Sequence, residues 1–297
     1  MRPDDWHLTV DVDDFLARAG GFLRSRPALH TIPLTVTETL RTRGADAYGA
    51  EAPVFGWLER AGEVSAAFFR TPPRRLILTP LTPDEADALA AHLAGLSPLL
   101  PGVTADHDTA TAFAEAWEQR TGATPTLHKR ERLYRLGTLT PSKPLPEGRG
   151  RVACEQDREQ LIGWYREFID AIGAISPADP GSWADTRIAY GRVTFWETSD
   201  GTPVSMAGVT PMVAGQVRVA PVYTPAHLRG RGYAGAATVE VSRAAMAAGA
   251  AEVLLFADLA NPTSNGIYQR IGYRPVTDFA VYDFSRAAQD IRGMALP

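Results

Sequence analysis

Cysteine is almost absent from the sequence, which has only Cys154 among its 297 residues. One cysteine excludes a disulfide framework and a cysteine-based zinc site within the chain, and we predict no metal site. The sequence also lacks an apolar run of about 18 residues, the length a membrane-spanning helix needs, and residues 1–10 lack the apolar core of a signal peptide. We therefore expect a cytoplasmic protein with no membrane partner.

Neither sign of charge dominates, because 30 Lys and Arg residues face 34 Asp and Glu residues and the net charge is −4. This balance does not predict a surface for nucleic acid. The length corresponds to two domains of ordinary size, and residues 140–148 are rich in Pro and Gly, as linkers often are. We predict domains at residues 1–142 and 143–297, and the sequence leaves the oligomeric state open.

A strand, a glycine-rich turn and a helix follow one another in residues 217–248. Residues 217–224 have the pattern of a strand, and Pro221 predicts a bulge or a sheet edge because proline has no amide donor. The turn Arg229-Gly230-Arg231-Gly232 then precedes an alanine-rich helix that begins near Tyr233. Free amides and a positive dipole at such a helix start suit a phosphate or a diphosphate. Glycine is needed there because a Cβ would hold the phosphate away from the backbone.

Two nucleotide sites are alternatives for this turn. Gly230 to Gly235 satisfies the G-x-G-x-x-G pattern of dinucleotide-binding folds, but the sequence after it is too short for the rest of a doubly wound domain. No G-K-[ST] follows the glycines, as a mononucleotide loop requires. A nucleotide-binding module remains an alternative.

A second motif lies downstream. Residues 253–258 are a continuous apolar run that ends in Asp258, typical of a strand buried on both faces. Asn261 is a good N-cap and Pro262 a good first residue for the following helix, which contains Tyr268 and is expected to end at Gly272.

Together, Arg229-x-x-Gly232-x-Ala234 and an Asn261 followed seven residues later by Tyr268 resemble the motifs of the GNAT superfamily of acyl-CoA N-acyltransferases. The resemblance implies an α/β fold of tandem GNAT domains. Each would have a mixed, mostly antiparallel sheet flanked by helices, and the C-terminal copy a bulged central strand. The pattern of helices and strands in residues 1–142 also resembles a GNAT domain, but the turn at residues 79–84 lacks the motif. We therefore interpret it as a degenerate copy, similar to a group of bacterial tandem proteins.

The resemblance implies acetyl-CoA or another acyl-CoA as cofactor and a primary amine of a small molecule or peptide as acceptor, by direct attack. The implied cofactor-binding residues are Val222, Tyr223, Thr224, Arg229, Gly230, Arg231, Gly232, Tyr233, Ala234, Asn261, Ser264 and Tyr268. Tyr268 is also expected to protonate or hydrogen-bond the departing sulfur, because a free phenol has a pKa of about 10.

Asp258 and Glu197 are the two candidates for the general base that takes the proton of the amine. Asp258 is equally well explained as a cap of the loop that follows it, and His227 is interpreted as a surface residue. Acceptor specificity is expected around residues 173–183, without predicting which amine is used. The alternative function is a non-catalytic acyl-CoA-binding sensor or scaffold.

Overall fold

The computed structural model describes residues 6–96, 99–173 and 179–285. This part of the chain forms two compact units, one of residues 6–132 with 277–285 and the other of residues 133–276. The strands and helices up to residue 136 are β1 (Trp6–Thr9), α1 (Val12–Ser25), α2 (Thr31–Arg43), β2 (Val54–Arg60), β3 (Glu63–Arg70), β4 (Leu76–Leu78), α3 (Pro83–Leu96), β5 (Gly102–Asp106), α4 (His107–Thr121) and β6 (Thr124–Leu136). Those that follow are β7 (Arg149–Val152), α5 (Arg158–Ile172), α6 (Pro180–Ala189), β8 (Val193–Glu197), β9 (Pro203–Val209), β10 (Gln216–Tyr223), α7 (Tyr233–Ala247), β11 (Glu252–Asp258), α8 (Pro262–Arg270) and β12 (Tyr273–Ser285).

In the first unit, strands β1 to β5 follow one another across the sheet, and residues 279–283 of β12 pair with β5. All neighbours are antiparallel except β4 and β5. Side chains cap the first helix of this unit. Asp11 accepts hydrogen bonds from the amides of Asp13 at 2.7 Å and Asp14 at 3.1 Å, so α1 begins where a carboxylate satisfies its free amides.

In the second unit, the order is β7-β8-β9-β10-β11-β6, and β7 to β10 are antiparallel. Strand β10 runs parallel to β11. The bulge predicted at Pro221 is confirmed, because the register between β9 and β10 shifts between Val219 and Val222. The extra residue bends β10 just before it leads into the glycine-rich turn.

The two faces of the second sheet have separate cores. Helices α5 and α6 cover one face, where Trp164 and Trp183 pack with Phe195 and Tyr223. Helices α7 and α8 supply the opposite core, which contains Tyr268. This division matters for the site, because the side chains of β10 pack into both cores.

Three elements differ from what the sequence pattern suggests. Residues 143–297 were predicted as one domain, but residues 279–283 of β12 pair with β5 in the first unit. The short β1 has no clear sequence signal, because four residues carry too little alternation. Pro180 and Gly181, residue types common in loops, begin α6, where the Asp179 carboxylate accepts from the Ser182 amide at 2.9 Å.

Residues 174–178, within the region 173–183 where acceptor specificity is expected, lie outside the described residues, as does the tail after Ser285. Among the helices that the structure describes, none combines the length and the apolar character of a membrane span.

Candidate active site

The two parallel strands at the centre of the second unit pair over only a short distance. Residues 216–218 of β10 lie beside residues 252–254 of β11, and no further pairing between the strands is found in the described chain. Beyond Arg218, β10 pairs with β9 alone. The edge of β10 that faces β11 therefore has backbone groups available to an extended ligand.

The glycine-rich turn opens helix α7 at the end of this unpaired edge. Gly232 is the N-cap, with φ of 84°, and no side chain caps the helix. The first amide bonded within α7 is that of Ala236, which donates to the Gly232 carbonyl at 3.1 Å. Within the described residues, the amides from Gly230 to Gly235 have no assigned protein acceptor.

The turn is held open by its own residues. The Arg229 side chain folds back and its Nε donates to the Thr224 carbonyl at 3.0 Å. Gly230 has φ of +78°, and no atom lies within 4 Å of the position a Cβ would take. Arg231 is exposed, and Tyr233 begins the helix. The result is a concave row of amides at a helix start, which is the arrangement that binds phosphate groups.

The equivalent turn of the first unit is closed. At the start of α3, the Thr82 amide donates to the Glu85 carboxylate at 2.8 Å, and the Glu85 amide is 3.3 Å from the Thr82 hydroxyl. The Leu81 amide donates to the Thr109 hydroxyl at 2.9 Å. The Glu85 carboxylate, which also pairs with Arg60 at 3.1 Å, already accepts from this helix start, so the Thr82 amide is not available to an anionic ligand.

Tyr268 lies on α8 with only 9% of its surface exposed. Its ring packs edge-on against Tyr273, with 6.1 Å between the ring centroids. In the described part of the chain, its hydroxyl has no hydrogen-bond partner. Burial raises the pKa of Tyr268 to about 12, above the value of about 10 on which the sequence argument rested.

This shift changes what Tyr268 can contribute. A thiol has a pKa of about 8.5, so complete proton transfer from a phenol of pKa about 12 would be uphill by several kcal/mol. Donation of a hydrogen bond to a developing thiolate carries no such cost. The raised pKa therefore makes Tyr268 better suited to donate a hydrogen bond than to give up its proton.

Asn261 and Ser264 form the start of α8. The Asn261 Oδ1 accepts from the Ser264 amide at 3.0 Å, as expected for an N-cap, while Asn261 Nδ2 has no assigned acceptor in the described residues. Asn265 was not predicted and is buried beside them. Its Nδ2 donates to the carbonyls of Asp258 and Asn261, both at 2.7 Å. Its Oδ1 accepts from the Tyr134 hydroxyl at 2.7 Å, so this amide fixes α8 against β11.

The two candidate bases differ in their surroundings. Asp258 is half-exposed at the end of β11, and its Oδ1 accepts from the Ala260 amide at 2.8 Å. The side chain of Glu197 is 3% exposed and receives the Nε groups of Arg149 at 2.8 Å and Arg151 at 2.6 Å. Hydrogen bonds from Arg151 and Arg149 lower the pKa of Glu197, which disfavours it as a proton acceptor.

The end of β10 carries a polar cluster that the sequence did not reveal. The buried phenol of Tyr223 donates to Oε2 of Glu167 on α5. Ser205 on β9 donates to the Tyr223 carbonyl at 3.0 Å and lies 2.8 Å from the Thr224 hydroxyl. The Tyr223 phenol and the Glu167 carboxylate are 56 residues apart in the sequence, so no local sequence pattern predicts their contact.

No group of three or more His, Cys, Asp or Glu side chains is placed to hold a metal ion in the described ranges. His227 is exposed, in the loop that leads to the turn.

Comparison with known proteins gives the fold. No family model matches the sequence, and no curated protein matches it. A GCN5-related N-acetyltransferase from Sphaerobacter thermophilus has a TM-score of 0.58 and 18% identity, over 95% of this chain and 96% of that one. A GNAT-family acetyltransferase from Colwellia psychrerythraea has a TM-score of 0.59 and 10% identity, over 94% and 99%.

The tandem arrangement has a match as well. A tandem GNAT protein from the clavulanic acid biosynthesis pathway has a TM-score of 0.53 and 13% identity, and the match covers 94% of this chain and 98% of that one. The chain therefore has the GNAT fold, in tandem. Each unit has the mixed, mostly antiparallel sheet and flanking helices that the sequence predicted.

Proposed function

We propose that the protein is an acyl-CoA-dependent N-acyltransferase whose active site lies in the second unit. The observation that supports this most strongly is the start of α7, where amides from Gly230 to Gly235 have no assigned acceptor among the described residues. Because unpaired amides at a helix start bind phosphate groups, this turn suits the diphosphate of CoA. The equivalent turn of the first unit is closed by Glu85, so of these two turns only the one in the second unit suits a diphosphate.

The residues near the turn also fit the remainder of the cofactor. The edge of β10 from Val222 to Thr224 is beyond the last pairing with β11, so its backbone is available to the amides of a pantetheine arm. Asn261 Nδ2 has no assigned acceptor among the residues that the structure describes, and Ser264 follows Asn261 on α8. We assign these residues to binding and orientation of the acyl-CoA.

Bound acyl-CoA supplies a thioester carbonyl, at which a C–N bond to the amine forms while the C–S bond breaks. The amine has to lose a proton, and the sulfur has to gain one. In this proposal, the neutral phenol of Tyr268 donates a hydrogen bond to the sulfur. Asp258, which keeps one carboxylate oxygen without an assigned donor, is the better of the two candidate bases.

The experiment is an acyl-transfer assay with acetyl-CoA, longer acyl-CoAs and a panel of primary amines, with release of free thiol as readout. The proposal expects amine-dependent thiol release. A thermal unfolding assay in parallel should show stabilisation of about 2.7 kcal/mol when CoA is present at 100 times its Kd. Stabilisation without turnover on any amine would favour the sensor, whereas stabilisation by a dinucleotide and not by CoA would favour the nucleotide-binding module.

A further inference from the structure

One carboxylate beside the proposed site has a hydrogen bond but no ion pair. Glu167 lies on the exposed surface of α5, and its Oε2 accepts a hydrogen bond from the phenol of Tyr223. Asp157 and Asp185 of the same unit, in contrast, pair with Arg151 and Arg158. No cationic nitrogen of the described residues lies within ion-pair distance of Glu167.

The phenol holds the carboxylate without neutralising it. Tyr223 is 8% exposed, and burial, followed by the hydrogen bond to Glu167, raises its pKa to about 12. The phenol is therefore an uncharged hydrogen-bond donor to the carboxylate. Arg229 also lies near the phenol, and its charge and a hydrogen bond to the phenol lower the pKa of Tyr223, while its Nε donates to the Thr224 carbonyl. The carboxylate is oriented and is still available to a cation.

The position of this pair connects it with the proposed chemistry. Tyr223 is the last residue of β10, beyond the point where β10 and β11 stop pairing. Ser205 fixes the Tyr223 carbonyl at 3.0 Å, and Thr224 leads directly into the turn. The phenol belongs to the α5 and α6 core, whereas Tyr268 belongs to the core on the opposite face of the sheet. Glu167 thus lies on the side of the sheet away from the sulfur donor.

We propose that Glu167, held by Tyr223, is the residue that selects the acceptor, by binding a positive charge on the incoming amine substrate. The inference rests on the proposed transferase function and names its substrate class: an acceptor that carries an ammonium group in addition to the amine that reacts. A carboxylate at a partly exposed site favours such a substrate over a neutral analogue of the same length.

The test compares two acceptors of equal length, 1,4-diaminobutane and 4-amino-1-butanol, on the wild type and on Glu167→Gln. Glutamine keeps an oxygen that can accept from Tyr223, so only the charge is removed. We expect the wild type to prefer the diamine by about tenfold in KM, with little difference in kcat. Glu167→Gln should abolish that preference, and added salt should reduce it only in the wild type.

The matched control is Glu159→Gln, on the same helix, whose carboxylate is exposed and pairs with Arg158 at 3.1 Å. It should retain the preference of the wild type. Tyr223→Phe, which removes only the hydroxyl, should reduce the preference. A wild type that does not distinguish the two acceptors, or a Glu167→Gln variant that still does, would overturn the inference.

Calorimetry separates failure of this inference from failure of the proposed function. Binding of 1,4-diaminobutane to the CoA-saturated wild type, Glu167→Gln and Glu159→Gln is measured directly, without turnover. CoA binding with no charge-dependent diamine binding would refute only the role of Glu167. Absence of CoA binding would refute the proposed function, and diamine titration of the free protein would then decide whether Glu167 binds cations.

Discussion

Substitution of Gly232 by alanine tests the phosphate-binding turn, because the residue has φ of +84° at the start of α7. The nearest atom to the position of an added Cβ is 3.7 Å away, on Pro146, so a clash with the protein is not the issue. A left-handed conformation costs a residue with a Cβ about 1–2 kcal/mol. The variant should lose about that much stability, or rotate the turn out of this conformation.

Rotation of the turn would redirect its amides. A hydrogen bond to a charged group contributes about 1.5–3 kcal/mol, so loss of two such bonds to the diphosphate would cost at least about 3 kcal/mol. Since about 1.4 kcal/mol corresponds to a factor of ten, the Kd for CoA should rise by about 100-fold or more.

The control is Gly249→Ala, just beyond the other end of α7. Gly249 has φ of +92°, and nothing lies within 4 Å of the position of its Cβ, so it carries the same backbone strain without the binding role. Both variants should lose similar stability in thermal unfolding, and only Gly232→Ala should lose affinity for CoA in calorimetry. Equal affinities in the two variants would refute the assignment of the turn to the diphosphate.

Three further predictions concern separate parts of the second unit. Tyr268→Phe should lower kcat about tenfold or more without changing the Kd for CoA, because it removes only the hydrogen-bond donor to sulfur. The control Tyr190→Phe, at an exposed tyrosine, should change neither quantity. An unchanged kcat in Tyr268→Phe would exclude the proposed role of Tyr268. The hydrogen bond from Arg151 lowers the pKa of Asp157 to about 2. Above the unfolded pKa of about 3.9, this pair should therefore contribute roughly 2 kcal/mol to the free energy of unfolding. That contribution should be lost as the pH falls towards 2. Urea unfolding against pH measures this, and Arg151→Met should remove most of that dependence. Asn265→Ala should cost about 3 kcal/mol of stability, because it breaks one buried and two partly buried hydrogen bonds. A loss below about 1 kcal/mol would contradict the network.

Local sequence signals predicted most of the elements that form the candidate site in the second unit. The bulge follows from Pro221 because proline lacks a donor, and the start of α8 follows from Asn261 and Pro262 because each suits its position. The open turn follows from glycines that tolerate positive φ. Each of these features depends on residues close in sequence, and therefore a single sequence contains enough to infer it.

Features that depend on distant residues were not predictable. The Tyr223–Glu167 hydrogen bond joins residues 56 positions apart, and the pairing of β12 with β5 joins the C-terminal part of the chain to the first unit. The environment of Glu197 was likewise hidden, because its two arginine partners belong to β7, which lies beside β8 only after folding. A carboxylate at the end of a strand has the same sequence signal whether it is free or paired.

The central claim is that amides at the start of α7 bind a diphosphate, and the most direct measurement compares CoA with pantetheine, which lacks the diphosphate and the nucleotide. Calorimetric titration of the wild type should give a Kd for CoA at least about 100-fold lower than for pantetheine, and Gly232→Ala should remove most of that difference. Equal affinities for CoA and pantetheine in the wild type would contradict the account.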